Sequence, residues 1–250
     1  MRLTLSARFS GVRVVGDVHG EAEAFRAAIE GAEAERLFIV QLGDLTDHGP
    51  DSPGVLEAMF ALIDQGTGLF LLGNHDRKLR RALLGAATPA ANDGLGTTLA
   101  QLARHHNAAA ICCRAVEEIA RAPAWVIWGR RTLFVHGGFH PSMLLHPSPP
   151  NAGSRRPEGA VARAIYGQTV RGALIEDGYP LRLLDWVDTI PEGFTVYCGH
   201  DNRSSDGRPH IRFGRAGGRA VFMDTGAGKG GHLSWIDLRS ENGDTGSWQG

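Results

Sequence analysis

The chain is poor in cysteine, in net charge and in long apolar runs, and each shortage closes off a class of protein. Its 250 residues contain three cysteines, Cys112, Cys113 and Cys198. An odd count with two adjacent spells out no disulfide framework and no Cys-x-x-Cys zinc pair, which predicts a reducing compartment and a cytoplasmic protein. A net charge of -1 gives no general attraction to nucleic acid or to an anionic bilayer. A local basic groove is compatible with that balance, so nucleic-acid binding is unsupported by charge rather than excluded. No apolar run is long enough to span a membrane, and the N-terminus passes into a strand without a charged-then-apolar leader. What is present is 42% hydrophobic and 21% charged residues with 34 Gly and 12 Pro. That composition predicts one folded domain over residues 1–240 and a frayed tail over 241–250.

Along the chain, apolar strands alternate with helical stretches. Val12 to Val15 ends in GDVHG and is followed by EAEAFRAAIEGAEAE, of helical composition; Leu37 to Leu42 ends in GDLTDHGPDS. SPGVLEAMFALIDQG reads as a helix with Pro53 in its first turn and Gly66 past its end. Leu69 to Leu72 ends in GNHD, and this strand–helix rhythm predicts an α/β protein. Residues 77–122 read as a helical cap region. Two strands, Ala124 to Trp128 and Thr132 to Val135, surround GRR, and the second ends in HGG. His146 to Gly159 has the composition of a mobile loop. Phe194 to Cys198 ends in GHD, and RAVFMD with HLSWIDL reads as a late antiparallel hairpin around TGAGKGG.

Five strand ends therefore carry metal-capable residues. In α/β sheets the carboxyl ends of strands converge on one crevice, which gathers Asp17, His19, Asp44, Asn74, His75, His136 and His200. Any one of these is an ordinary turn or core residue. Together, an uncompensated cluster of acids and imidazoles would be costly to bury, and a cation offsets that cost. Mixed oxygen and nitrogen donors suit Mn²⁺, Fe²⁺ or Zn²⁺, and the supply exceeds the needs of one ion. Two divalent ions can share a carboxylate, with Asp44 as the bridge. The chemistry this predicts is in-line attack of a metal-activated hydroxide on phosphorus.

The order of motifs resembles the calcineurin-like metallophosphoesterases, and within them the phosphoprotein-phosphatase branch. That branch carries GDxHG, GDxxDRG, GNH(E/D), HGG and a late GH; here stand GDVHG, GDLTDHG, GNHD, HGG and GHD, spanning residues 16–201. GNHDRKLRRAL, GLGTTLAQL, AIYGQTV, VYCGH and MDTGAGKGGHLSWIDL are similar to its bacterial subgroup. That subgroup holds stand-alone phosphatases, diadenosine tetraphosphatases and the phosphatase module of bacterial polynucleotide kinase–phosphatase. The resemblance implies an α/β fold, a two-layered β sandwich flanked by helices, and two divalent ions, with Mn²⁺ expected first. It also implies ligand roles for Asp17 and His19 at one metal, for Asn74, His136 and His200 at the other, and for Asp44 between them. His75 would protonate the leaving oxygen, oriented by Asp47. The implied reaction is hydrolysis of a phosphomonoester in the manner of the phosphoprotein phosphatases, on a phosphorylated substrate that the residues leave open between phosphoprotein and nucleotide. A nucleotide substrate (RNA 3′ or 2′,3′-cyclic ends, or diadenosine tetraphosphate) is the alternative, and an inactive metal-bound scaffold is a third reading, against which every inferred ligand is present.

One chemical position departs from the pattern. Where the branch carries an Arg that reaches the phosphate, this chain has His48, which predicts weaker phosphate binding above about pH 7 unless another cation substitutes. Arg77 and Arg171 are the candidates; the bland alternative has His48 pointing away from the site. GAGKGG at 226–231 satisfies G-x-G-x-x-G literally, but a strand rather than a helix follows, and no Ser or Thr follows Lys229. It reads as a glycine-rich hairpin at the site rim.

Overall fold

The computed structural model describes residues 1–86, 94–174 and 180–239, with 171–174 and 180 described as backbone only. The proposed tail at 241–250 and the side chain of Arg171 lie outside that description. In chain order the elements up to the first helical run are β1 (Arg2–Leu3), β2 (Gly11–Val15), α1 (Ala22–Ala34), β3 (Leu37–Gln41), α2 (Ser52–Gln65) and β4 (Gly68–Phe70). Then come α3 (Asn74–Leu83), α4 (Leu95–Arg104), α5 (Ala108–Arg121), β5 (Trp125–Trp128), β6 (Thr132–Val135) and α6 (Ser142–Leu145). The remainder is α7 (Gly159–Tyr166), β7 (Gln168–Leu174), β8 (Pro180–Leu183), β9 (Thr195–Cys198), β10 (His210–Phe213), β11 (Arg219–Phe222) and β12 (Trp235–Arg239).

Two sheets form the centre: β12-β2-β3-β4, and β1-β5-β6-β9-β11-β10. Within the first, β2, β3 and β4 run parallel; within the second, β6, β9 and β11 do. Strand periodicity explains how they stack. Val12, Val14, Val40, Leu42 and Leu71 from the first sheet meet Val126, Phe134, Tyr197, Val221 and Met223 from the second in one apolar cluster. The alternate residues Val15, Ile39, Leu72, Leu133, Val135, Val196 and Phe222 face the other way and pack with the helices. Both faces of the central strands are largely apolar because both are covered, whereas the edge strands β10 and β12 are largely exposed. The sandwich flanked by helices is therefore built as the resemblance implied.

Local signals place the helices. Asp51 caps α2 by accepting from Gly54 N at 2.8 Å, Pro53 lies in the first turn, and Gly66 ends the helix with φ 62°. The region 77–122 is helical over its described residues, and Leu79, Leu95, Leu102, Ile111 and Ile119 join the helix-side core.

One expectation is corrected. RAVFMD and HLSWIDL are not a hairpin: β11 lies in one sheet, while β12 pairs antiparallel with β2 in the other. The TGAGKGG segment carries the chain between sheets, and a period-2 pattern does not say which strand is the partner. The stretch from His146 to Gly159 is mostly exposed, with Ala152 and Gly153 buried and a few hydrogen bonds fastening its start. Trp125 Nε1 donates to His146 O at 3.2 Å, and Ala124 N donates to Ser148 Oγ at 2.9 Å. Gly153 is buried against Ile119, where a Cβ would lie 2.7 Å from the carbonyl carbon.

Candidate metal centre

Because β2, β3 and β4 are parallel, as are β6, β9 and β11, the two sheets deliver their carboxyl ends to one edge of the sandwich. The turns that leave these strands are sharp. His19 (φ 45°), Asp44 (58°), Asp47 (80°), His48 (61°) and His200 (66°) all sit in the left-handed region, where a non-glycine residue is strained and is held by its surroundings. Here the holding contacts are visible. Val18 N and His19 N both donate to Asp44 O (3.1 and 3.0 Å), so the first two motif loops are bonded together. Asp76 accepts from Asp44 N (2.8 Å), Leu45 N (3.0 Å) and Gly73 N (2.9 Å), tying the third loop to the second.

At the centre lies Asp44 Oδ2. Three imidazole Nε2 atoms surround it, from His136 at 3.4 Å, His19 at 3.9 Å and His75 at 4.0 Å. The other oxygen, Oδ1, accepts from His75 N at the start of α3 (2.9 Å), a helix N-terminal amide well placed for an anion. Asp17 is fixed from the second sheet, where His200 N donates to its carboxylate at 3.0 and 3.2 Å. Asn74 Oδ1 stands 3.0 Å from His136 Nε2. Potential donor atoms lie within 4.8 Å of one another in three groups: Asp17–His19–Asp44, Asp44–His136–His200 and His19–His48–His75.

The ring orientations test whether these residues fit metal ions. His19 Nδ1 lies 2.9 Å from Thr46 O, and His136 Nδ1 lies 2.8 Å from Leu42 O. A carbonyl only accepts, so both Nδ1 atoms carry the hydrogen, and each ring when neutral presents an Nε2 lone pair inward. His19 Nε2 is buried with no partner. His136 Nε2 faces two oxygens, and a proton or a cation must lie between them.

Protonation tendencies agree. Burial, and then the charge of Asp224, push Asp17 well above the usual carboxylate range. Asp76 is raised to about 6 by burial and by Asp44. Burial also works to raise Asp44, but His136 and His75 outweigh it and hold the carboxyl low. Burial would lower His136, yet Asp44 draws the imidazole up to about 9. Without a cation these groups share scarce protons; divalent ions relieve the same repulsion outright. The donor set, carboxylates with neutral imidazoles and an amide oxygen, fits two such ions.

A second hydrogen-bonded group, centred on Asp47, lies beside this cluster. His75 Nδ1 donates to Asp47 Oδ2 at 2.5 Å, and Lys78 Nζ approaches the same oxygen at 2.7 Å. Lys78 Nζ is also 2.9 Å from His75 Nδ1. One nitrogen cannot donate to Asp47 and accept from an ammonium together, and the shorter contact to the carboxylate assigns the proton. Thr98 Oγ1 donates to Asp47 Oδ1 at 2.8 Å and accepts from Asp47 N at 3.0 Å. Asp47 is buried and thus fully tied, which leaves His75 Nε2 facing the centre.

The rim departs from expectation in part. The His48 ring does not point away: it lies 5.0 Å from the His19 ring and 5.5 Å from that of His75. Burial, with Lys229 and His75 adding to it, pushes His48 down to about 4. Arg77 Nη1 donates to Tyr166 Oη at 3.1 Å, and its Nε is buried without a partner. Of Arg171 only the backbone, within β7, is described.

Sequence reasoning missed Asp76, Thr98, Lys78 and Asp224. Asp224 is buried at the end of β11, a sixth strand end with a metal-capable residue, and its sequence FMDTG carried the same signal as the other five. Asp76 stands inside GNHD, where it reads as a helix-start acid. Thr98 comes from a distant helix and had no signal.

A sandwich with this edge cluster defines a metal-dependent hydrolase of phosphoric esters. Residues 12–201 match the family model of the calcineurin-like phosphoesterases, and the chain belongs to that family. It is 27% identical to the bis(5'-nucleosyl)-tetraphosphatase PrpE (asymmetrical) of Halalkalibacterium halodurans over 88% of this chain and 87% of that one. Among solved structures, a candidate diadenosine tetraphosphatase superposes with a TM-score of 0.56 at 20% identity, covering 97% of this chain and 99% of the other. A protein serine/threonine phosphatase from Saccharomyces cerevisiae superposes with a TM-score of 0.54 at 13% identity, covering 95% and 82%. Among the described residues no helix is long and apolar enough to cross a membrane.

Proposed function

We propose that the protein hydrolyses phosphoric esters or anhydrides of nucleotides, with a dinucleoside polyphosphate as the favoured substrate class. The observation that carries the hydrolytic reading is the Asp44 carboxylate ringed by three inward Nε2 atoms, one of them backed by a buried Asp. The nucleotide class is supported by likeness over most of the chain to proteins named as dinucleoside tetraphosphatases. Asp17, His19 and Asp44 would hold one divalent ion, and Asp44, Asn74, His136 and His200 the other. When bound, two divalent ions supply Lewis acidity that polarises water and offsets charge on the phosphoryl oxygens. The ions are of the Mn²⁺, Fe²⁺ or Zn²⁺ type.

The chain's own residues do the rest. Asp47, locked by Thr98 and Lys78, fixes the His75 ring and stabilises it when charged. His75 Nε2 then gives its proton to the leaving oxygen. Asp76 holds the loops so that Asp44 keeps its place between the two donor sets. The three free cysteines support the cytoplasmic placement.

A second reading, a phosphoprotein phosphatase, is compatible with the same motif order, which the branch shares between both substrate classes. One panel separates the two: metal-stripped protein with and without added Mn²⁺, offered diadenosine tetraphosphate, a 3′-phosphate RNA end, and phosphotyrosyl and phosphoseryl peptides. Mn²⁺-dependent release concentrated on the tetraphosphate is the expected result. Release concentrated on a peptide would replace the nucleotide reading. Release from none, with metal bound, would restore the scaffold.

A further inference from the structure

Most cations near the site are committed. Lys78 is bound to Asp47 (2.7 Å), Arg77 to Tyr166 (3.1 Å), and Arg203 to Asp201 (2.7 Å); Arg182 reaches Asp201 at 3.4 Å and also donates to His200 O. His48 is neutral. Lys229 is different: among the described residues its exposed ammonium makes no hydrogen bond and no ion pair, yet its charge bears on His19, His48 and Asp224.

The loop that carries Lys229 is built against the site. Gly226, Gly228 and Gly230 have φ of 82°, 71° and 88°, a left-handed run that side chains resist. At Gly228 a Cβ would lie 2.6 Å from His19 O and 3.2 Å from Gly49 N, so the backbone rests on His19 and on the residue after His48. The base of the loop is pinned. Gly226 N donates to Asp224 Oδ1 (3.0 Å), Lys229 N and Gly231 N donate to Gly226 O (3.0 and 2.9 Å), and Thr225 Oγ1 donates to His232 O. A pinned glycine turn with an uncommitted lysine at its apex thus lies against His19 and Gly49, beside the half-buried His48 ring.

We propose that Thr225–Gly231 is a second phosphate subsite, in which Lys229 holds the phosphate next to the one being hydrolysed. The phosphate at the Asp44 hub is covered by imidazoles. A chain extending outward past His48 meets Lys229, a flexible point charge suited to a phosphate. The site then prefers a polyphosphate chain to a lone monoester. This rests on the nucleotide reading above.

The test compares orthophosphate with tripolyphosphate as inhibitors of p-nitrophenyl phosphate hydrolysis by the Mn²⁺-loaded enzyme, with free Mn²⁺ held constant. Calorimetric binding of both anions gives a readout independent of turnover. Wild type should bind tripolyphosphate about tenfold more tightly than orthophosphate; Lys229→Ala should erase that gap and Lys229→Arg restore it, at unchanged melting temperature. For diadenosine tetraphosphate the KM should rise about tenfold in Lys229→Ala. An equal loss for both anions would place Lys229 at the hydrolysed phosphate and overturn the second subsite, as would no loss for either. If the Lys229-dependent gap appears but diadenosine tetraphosphate is not hydrolysed, the nucleotide reading fails and the subsite stands. If diadenosine tetraphosphate is hydrolysed but the gap is missing, the subsite fails and the nucleotide reading stands.

Discussion

The floor of the site and its rim are built by different rules. On the floor each side chain has one atom tied to the scaffold and one turned inward: His19 through Thr46 O, His136 through Leu42 O, Asp17 through His200 N. These residues are buried and lie on the tight turns at strand ends. The rim is more exposed, and its groups are either fastened to one another, as Arg77 is to Tyr166, or left uncommitted, as Lys229 is among the described residues. Chemistry fixes the floor, since few residue types hold metal, whereas a phosphate can be met by many cations from many places.

The sharpest test of the floor is its acid arm. His75→Asn should lower kcat by ~10²–10⁴ for alkyl phosphates while metal content and melting temperature stay put. The loss should shrink on p-nitrophenyl phosphate, whose leaving group needs little protonation, and an equal loss on both substrates would remove His75 from the acid role.

Removing metal should expose the floor's repulsion as pH-dependent stability. His136 is raised to about 9 in the folded chain, so its contribution is complete below about 6.5 and lost as pH rises through about 9. Metal-free protein should lose up to ~3 kcal/mol across that window from this group. Metal-loaded protein and His136→Gln should both be flatter. Thermal melts at pH 6.5 and 9.5, with and without chelator, check it.

Asp76→Asn is next in size. It keeps the shape but weakens three amide bonds, and metal affinity should fall ~10–100-fold, readable by competition with a chelating dye. The smallest effect belongs to the rim. Tyr166→Phe frees Arg77 from one hydrogen bond, about 1 kcal/mol, and should change KM no more than ~fivefold with kcat nearly constant. A larger kcat effect would move Arg77 from the rim to the floor.

The same division explains what the sequence made legible. Strand ends followed by Asp, Asn or His named seven floor residues, because strand topology alone brings such ends together. Asp224 obeys the same rule, but the glycine motif that follows it masks the signal. Thr98 and Lys78 were illegible, since their roles depend on α4 and α3 packing beside Asp47. The late hairpin failed for a related reason: β11 and β12 alternate as strands should, but partner choice is a long-range matter. His48 was legible as a departure, while its neutrality came from burial and from Lys229, more than 180 residues further along the chain.

The pairing of β12 with β2 also governs how the chain must be made. Gly11–Val15 emerges early, but its outer neighbour is Trp235–Arg239, joined through Gly16 N to Ser234 O (3.0 Å) and Arg13 to Asp237 (2.7 Å). During synthesis β2 therefore waits as a valine-rich open edge, free to add strands from other chains, until nearly all of these residues have left the ribosome. Such a distant closure is slow in entropic terms. The nascent chain is thus most prone to aggregate just before the strand that completes its catalytic sheet arrives.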